Sequence, residues 1–192
     1  MSNKPLLFTL FTLLLLLQGC SDSSDGSSSA SAEPAHSIVA SNELQLTDTQ
    51  NSPYTIVKEG ERFILKGYEN KIVLFDIFAT WCQPCRAEAP HLASLQKKFP
   101  DDLVVIGITI EDDLSNAKLE TFKREHGADY IIFNSEANRA LYRAIAGSIH
   151  VGQQFPIPLM VMYKNGSYVT HYMGMVAEEM IESDIRLALG GN

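Results

Sequence analysis

Two apolar runs separated by a helix-length stretch constrain this chain more than anything else in it. Ile72-Val73-Leu74-Phe75-Asp76-Ile77-Phe78-Ala79 is apolar at every position but one. Such a run has no polar face to turn toward water, so it reads as a central strand covered on both sides. Leu103-Val104-Val105-Ile106-Gly107-Ile108-Thr109-Ile110 is a second run of the same kind. Between them a helical stretch runs from about Gln83 to Phe99. Strand, helix, strand in this order is a βαβ unit with parallel strands, and it places the chain among α/β folds.

The rest of the folded part is read around that unit. Structure begins near Asn42. Leu44, Leu46, Ile56 and Phe63 to Leu65 lie in alternating or short apolar segments, with turns at Asn51-Ser52-Pro53 and Glu59-Gly60-Glu61. They form a leading β-hairpin region. A helix over Ala117 to His126 points Leu119 and Phe122 inward. Tyr130 to Phe133 is strand-like, and Ala137 to Ala146 is a further helix. Leu159 to Tyr163 and Tyr168 to Met173 flank Asn165-Gly166, a strong hairpin signal. The last helix carries Ala177, Met180, Ile181, Ile185 and Ala188 at helical spacing and stops at Gly190-Gly191. No internal repeat is present.

Trp81-Cys82-Gln83-Pro84-Cys85 falls where the first strand hands over to its helix. A cysteine at a helix N-terminus faces unpaired N–H groups and the positive end of the dipole, which lowers its pKa and makes it a nucleophile. A second cysteine three residues on lies one helical turn away, placed to attack a mixed disulfide. Two other readings exist. One is half of a zinc site, but there is no second C-x-x-C, and the five histidines (36, 91, 126, 150, 171) show no ligand pairing. The other is a pair of inert buried thiols.

Two carboxylates stand out nearby. Cys85, Glu88, Leu92, Leu95 and Phe99 follow one another at intervals of three or four and share one helix face. Leu and Phe mark that face as buried, so Glu88 is an acid directed at the core beside Cys85, suited to exchanging a proton with it. The alternative is a side chain that bends out to solvent. Asp76 interrupts the first apolar run and is the second candidate. Two acids close together titrate as a pair. Their negative charge opposes thiolate formation and favours the disulfide over the dithiol, the direction of a better reductant. Pro90 lies inside the helix, where it removes a hydrogen bond and is expected to kink it. Pro158 opens the hairpin strand, either as a plain trans edge proline or as a cis proline whose backbone meets an incoming peptide.

The N-terminus reads as an address. The apolar run Leu6 to Leu17 holds twelve residues, short of the roughly 20 that a membrane span needs. It suits the apolar region of a signal peptide. Leu17-Gln18-Gly19-Cys20 follows and resembles the lipobox of bacterial lipoproteins. That resemblance implies cleavage after Gly19 and acylation of Cys20, with residues 1–19 as signal peptide. The alternative is an ordinary cleaved signal with Cys20 incidental. Residues 20–41 are Ser-rich with little apolar content and form a tether, leaving 42–192 as the domain. The cysteines are three, at 20, 82 and 85, so a lipidated Cys20 leaves a single pair and no scaffold of structural disulfides. Net charge is −8, and no basic run marks a nucleic-acid partner.

Phe78 to Pro90, Phe-Ala-Thr-Trp-Cys-Gln-Pro-Cys-Arg-Ala-Glu-Ala-Pro, resembles the W-C-x-P-C-R-x-E-x-P signature of the TlpA-like (ResA-like) membrane-anchored thioredoxins. Ile157 to Gly166 is similar to the thioredoxin segment that carries the cis proline. The resemblance runs from about Asn42 to Leu189. It implies a thioredoxin fold, a central mixed sheet flanked by helices, with an N-terminal β-hairpin and a central insertion within Leu114 to Gln154. It implies Cys82 as nucleophile, Cys85 as resolving cysteine, Glu88 as the buried acid and Pro158 as the cis proline. Trp81, Pro84, Ile157 and Pro158 are implied as the surface that meets the partner. The activity implied is thiol–disulfide exchange through the Cys82–Cys85 disulfide, without metal or other cofactor. Implied partners are disulfides of exported proteins, with apocytochrome c typical, and a membrane thiol donor. The implied place is the periplasmic side of a bacterial envelope, held by the lipid on Cys20. Three departures stand against the pattern: Asp76 adds a second acid, Leu159 replaces the usual Thr, and Pro156 precedes the expected register. An oxidant or isomerase is a close alternative. A copper-binding module using Cys82, Cys85 and a third ligand such as His150 is a more distant one.

Overall fold

The computed structural model describes residues 42–152 and 154–191. The segments read as signal peptide and tether, with Cys20, lie outside the described residues. Within them, eight strands build two sheets, joined by four helices. The first is an antiparallel meander of β1 (Glu43–Thr47), β2 (Pro53–Glu59) and β3 (Arg62–Leu65). The expected leading hairpin therefore carries a third strand. The second sheet has the order β6-β5-β4-β7-β8, from β4 (Ile72–Phe78), β5 (Leu103–Thr109), β6 (Ile131–Phe133), β7 (Leu159–Lys164) and β8 (Ser167–Met173). β4, β5 and β6 are mutually parallel, β7 is antiparallel to β4, and β8 is antiparallel to β7.

β4 and β5 are buried at every residue, as their unbroken apolar runs require. Side chains alternate across a strand. Ile72, Leu74 and Phe78 enter one core with the helices α1 (Gln83–Lys98), α2 (Asn116–His126) and α4 (Glu178–Ala188). Val73, Phe75 and Ile77 enter another, beneath the meander and α3 (Asn138–Ser148). Asp76 is in phase with the first set and faces the α1 side.

Local chemistry explains the element ends. Cys82 caps α1, with Pro84 in its first turn and Lys97 and Lys98 in its last. Ser115 caps α2, and Gly127 ends it at a φ of 63°. Asn165 and Gly166, at φ of 51° and 76°, turn β7 into β8. The helix α1 continues past Pro90 as one element, with that proline on its exposed side. The stretch from β5 to β7 holds α2, β6 and α3. Along α4 the buried side chains are Ile181 and Ile185, whereas Met180 is 53 % exposed. Successive helix positions differ by about 100°, so a helix centred on Ile181 and Ile185 turns Met180 outward. Ala177 is the exposed N-cap of α4 and not part of its inner face.

Candidate active site

The β4–α1 junction carries the reactive pair. Cys82 and Cys85 form a disulfide with their Cα atoms 5.3 Å apart. Both are buried, yet Trp81 beside them is 63 % exposed. Cys82 Sγ accepts from the Cys85 backbone N–H at 3.3 Å, so the helix N-terminus presents a donor to this sulfur. The same donor would steady a thiolate there once the disulfide is reduced.

Two residues that sequence reasoning did not single out brace the loop. Glu111 accepts from the Thr80 N–H at 2.5 Å and from its hydroxyl at 3.0 Å, and Arg86 Nε donates to the Thr80 carbonyl at 2.6 Å. The signal for Glu111 was its position just past the second apolar run. There a parallel sheet delivers the ends of its strands to one side of the fold.

Opposite the disulfide, the Ile157–Pro158 peptide bond is cis, and the Ile157 carbonyl oxygen lies 3.7 Å from Cys82 Sγ. The Pro158 carbonyl accepts from the Gly174 N–H at 2.8 Å, tying the β7 entrance to the segment after β8. The structure thus brings Cys82, Cys85, Ile157 and Pro158 together, with Trp81 and Pro84 exposed alongside.

Both acids are buried on the α1 side of the sheet. Glu88 is fully buried on the Cys85 face of α1, and neither of its oxygens makes a hydrogen bond of regular geometry. Burial raises its pKa, while the His91 imidazole and the Val176 N–H pull it back. Asp76 is 2 % exposed. Its Oδ2 accepts from the Tyr130 hydroxyl at 3.1 Å, and its Oδ1 has no partner. Burial pushes Asp76 up to about 7; the Tyr130 hydrogen bond opposes this and the charge of Glu88 adds to it. Tyr130 is itself pushed well above its ordinary range by burial and by Asp76. Tyr130 was read only as part of a strand. Its ring fits because residue 107, paired with Asp76 across the sheet, is glycine. A Cβ at 107 would meet the Tyr130 ring at 3.2 Å.

His150 is elsewhere. It is exposed, borders a small cavity with Glu61 and Tyr168, and places its Nδ1 3.2 Å from the Ser148 carbonyl. Among the described residues no three His, Cys, Asp or Glu side chains gather as a metal site.

The AhpC/TSA family matches residues 43–158, more than half of the chain and including the whole disulfide loop. The chain belongs to the AhpC/TSA family. Among curated relatives of this family member, the thioredoxin-like protein YneN of Bacillus subtilis is 28 % identical over 130 residues, covering 59 % of this chain and 76 % of YneN. The thiol-disulfide oxidoreductase ResA of Bacillus anthracis is 26 % identical over 129 residues, 67 % of this chain and 69 % of ResA. Solved structures share the fold. A thioredoxin-family thiol:disulfide interchange protein from Chlorobium tepidum superposes with a TM-score of 0.59 at 20 % identity, over 78 % of this chain and 95 % of that one. A secreted Mycobacterium tuberculosis disulfide oxidoreductase homologous to DsbE gives 0.54 at 16 % identity, over 78 % and 98 %. This AhpC/TSA protein is accordingly a ResA-like member of the thioredoxin superfamily and a thiol–disulfide oxidoreductase.

Proposed function

We propose that this protein is a reductant working outside the cytoplasm, passing electrons to disulfides of exported proteins such as apocytochrome c. The observation that carries the reading is the pair of buried acids, Glu88 and Asp76, on the α1 side of the sheet under Cys85. Negative charge held there raises the cost of a thiolate and so favours the disulfide over the dithiol, which makes the dithiol give up its electrons more readily.

The exchange runs in two steps. The Cys82 thiolate attacks one sulfur of the partner disulfide and expels the other as a thiolate. Cys85 then loses its proton to Glu88, and its sulfur attacks Cys82. The bond from Cys82 to the partner breaks, and the partner leaves with both of its sulfurs reduced. The Ile157–Pro158 backbone and Trp81 form the surface that receives the partner chain. A membrane thiol donor recharges the pair. The exported leader and the acylated Cys20 supply the place, a bacterial envelope on its periplasmic side; the secreted relative of the same fold supports the compartment. No helix among the described residues is long and apolar enough to cross a membrane.

The reduction potential of the Cys82–Cys85 pair, measured against a dithiothreitol or glutathione buffer, tests the direction. We expect about −270 mV or lower, as for thioredoxin. A value near −120 mV, about that of DsbA, would make the protein an oxidant.

A further inference from the structure

Proton transfer to Glu88 raises the question of where that proton goes next. No part of Glu88 meets solvent, and neither of its oxygens has a regular hydrogen-bond partner. A carboxyl enclosed in this way must pass the proton on before it can act again. Three residues along α1, His91 occupies the next turn, and residues at that spacing are neighbours about 5–6 Å apart at Cβ. Its Nδ1 is buried and has no hydrogen-bond partner, while the residue as a whole is only half-buried. The ring therefore joins the interior to the rim of the helix. A neutral imidazole nitrogen without a donor accepts a proton, and histidine does so near neutral pH.

The charges around it are few. Glu88 faces His91 from α1. Glu178, in the first turn of α4, faces it from the second helix, and His91 draws both carboxyls toward the ionised form. Glu178 accepts from Ser94 Oγ at 2.7 Å and pairs with Lys98 at 2.8 Å, and Lys98 also pairs with Glu182 at 2.6 Å. The segment before α4 brings the Val176 backbone N–H toward Glu88 and no charge of its own. One imidazole thus stands between an interior carboxyl and a carboxylate at the surface.

We propose that His91 is a positioning residue acting through Glu88, carrying the proton from that buried carboxyl to solvent on the Glu178 side during resolution at Cys85. This rests on the reading of Glu88 as the group that takes the Cys85 proton. Cys85 gives its proton to the Glu88 carboxylate, and its thiolate attacks Cys82 Sγ. The Cys82–partner bond breaks, with its electron pair leaving on the partner sulfur. Glu88 then passes its proton to Nδ1 of neutral His91, the imidazolium releases one to water, and water protonates the departing thiolate. Two electrons move from the dithiol to the partner disulfide, and no other oxidant or reductant is consumed.

The test uses the reduced full chain and dithiobis(nitrobenzoate), whose first half is released when the mixed disulfide forms and whose second is released on resolution. Both rates are followed from acid to alkaline pH. In the wild type the second release is expected to show an inflection with pH that depends on His91. In His91→Gln the second release should slow on the order of tenfold and lose that inflection, below the ~10²–10⁴ range of direct acid–base groups. The first release should be unchanged. In His91→Ala, added imidazole should restore the second release, which a merely structural role would not allow. Thermal melting checks that both variants are folded. If neither folds, a wild-type profile without the inflection overturns the proposal by itself. An unchanged profile in His91→Gln, or no rescue in His91→Ala, also overturns it. Should Glu88→Gln slow the second release while His91→Gln does not, the Glu88 reading stands and the outlet lies elsewhere. If neither substitution slows it, both readings fall.

Discussion

Cys82 gains its reactivity from position, since it caps α1 and faces a backbone N–H at 3.3 Å. The charge-favouring end of the helix is available to this sulfur and not to Cys85 one turn in. Cys82→Ser is therefore expected to abolish reduction of insulin disulfides, and residual turnover would move the nucleophile elsewhere. For Glu88→Gln the expectation is asymmetric. Release from a mixed disulfide should slow on the order of a hundredfold, the low end for acid–base groups, with formation little changed; stopped-flow measurement of both steps decides. Both residues were legible in the sequence. Glu88 declared itself by sharing a helix face with Cys85 and three apolar side chains, and Asp76 by interrupting an apolar run. Tyr130 was not legible as a site residue, because it meets Asp76 only through a tertiary contact. Glu111 had only its place past the second apolar run to mark it, and His91 sits one turn from Glu88 on the same helix, where what it faces on α4 is decided by packing.

The elements were legible where one pattern ruled a whole segment. β4 and β5 are covered on both faces, so their sequences needed no polar positions, and α1 announced itself by a stripe. The meander was harder to count, because its short strands each bury only one or two side chains. α4 shows the limit of spacing: Met180 satisfies the helical period with Ala177, yet lies 53 % exposed because the buried centre is Ile181 and Ile185. The β7–β8 turn was clear from Asn165-Gly166, though not its second task. The Gly166 carbonyl accepts from the Phe63 N–H at 2.9 Å, and a Cβ there would meet Ile64 Cγ1 at 2.5 Å. Gly166→Ala combines that clash with a φ of 76° and should destabilise by about 2–3 kcal/mol. Gly60→Ala, at a φ of 61° with nothing nearby, should cost only about 1 kcal/mol. Paired urea titrations that gave equal losses would refute the clash.

At the scale of the whole molecule, one central sheet separates two cores, and the acids lie on the α1 side of it. The consequence for stability follows from Asp76, whose carboxyl is raised from 3.8 to about 7 by burial. Protons are then held more tightly in the folded than in the unfolded chain. The stability this supplies is complete below about pH 3.8 and is lost as pH rises through about 7. Asp76→Asn should thus leave stability nearly unchanged at pH 4 and raise it at pH 8 on the order of 3 kcal/mol. Denaturant titrations at the two pH values check this, and an equal effect at both would show that Asp76 is not protonated in the fold. The sequence by itself determined the α/β class, the βαβ unit, the reactive pair at a helix start and the two acids, because each follows from the period of apolar residues along one segment. Only the tertiary structure decided that Gly107 makes room for Tyr130 against Asp76, that the Ile157 carbonyl meets Cys82, and that α4 sets Glu178 across from His91. Those depend on which segments the sheet order brings side by side, and a strand's own pattern of burial says which face is covered without saying by what.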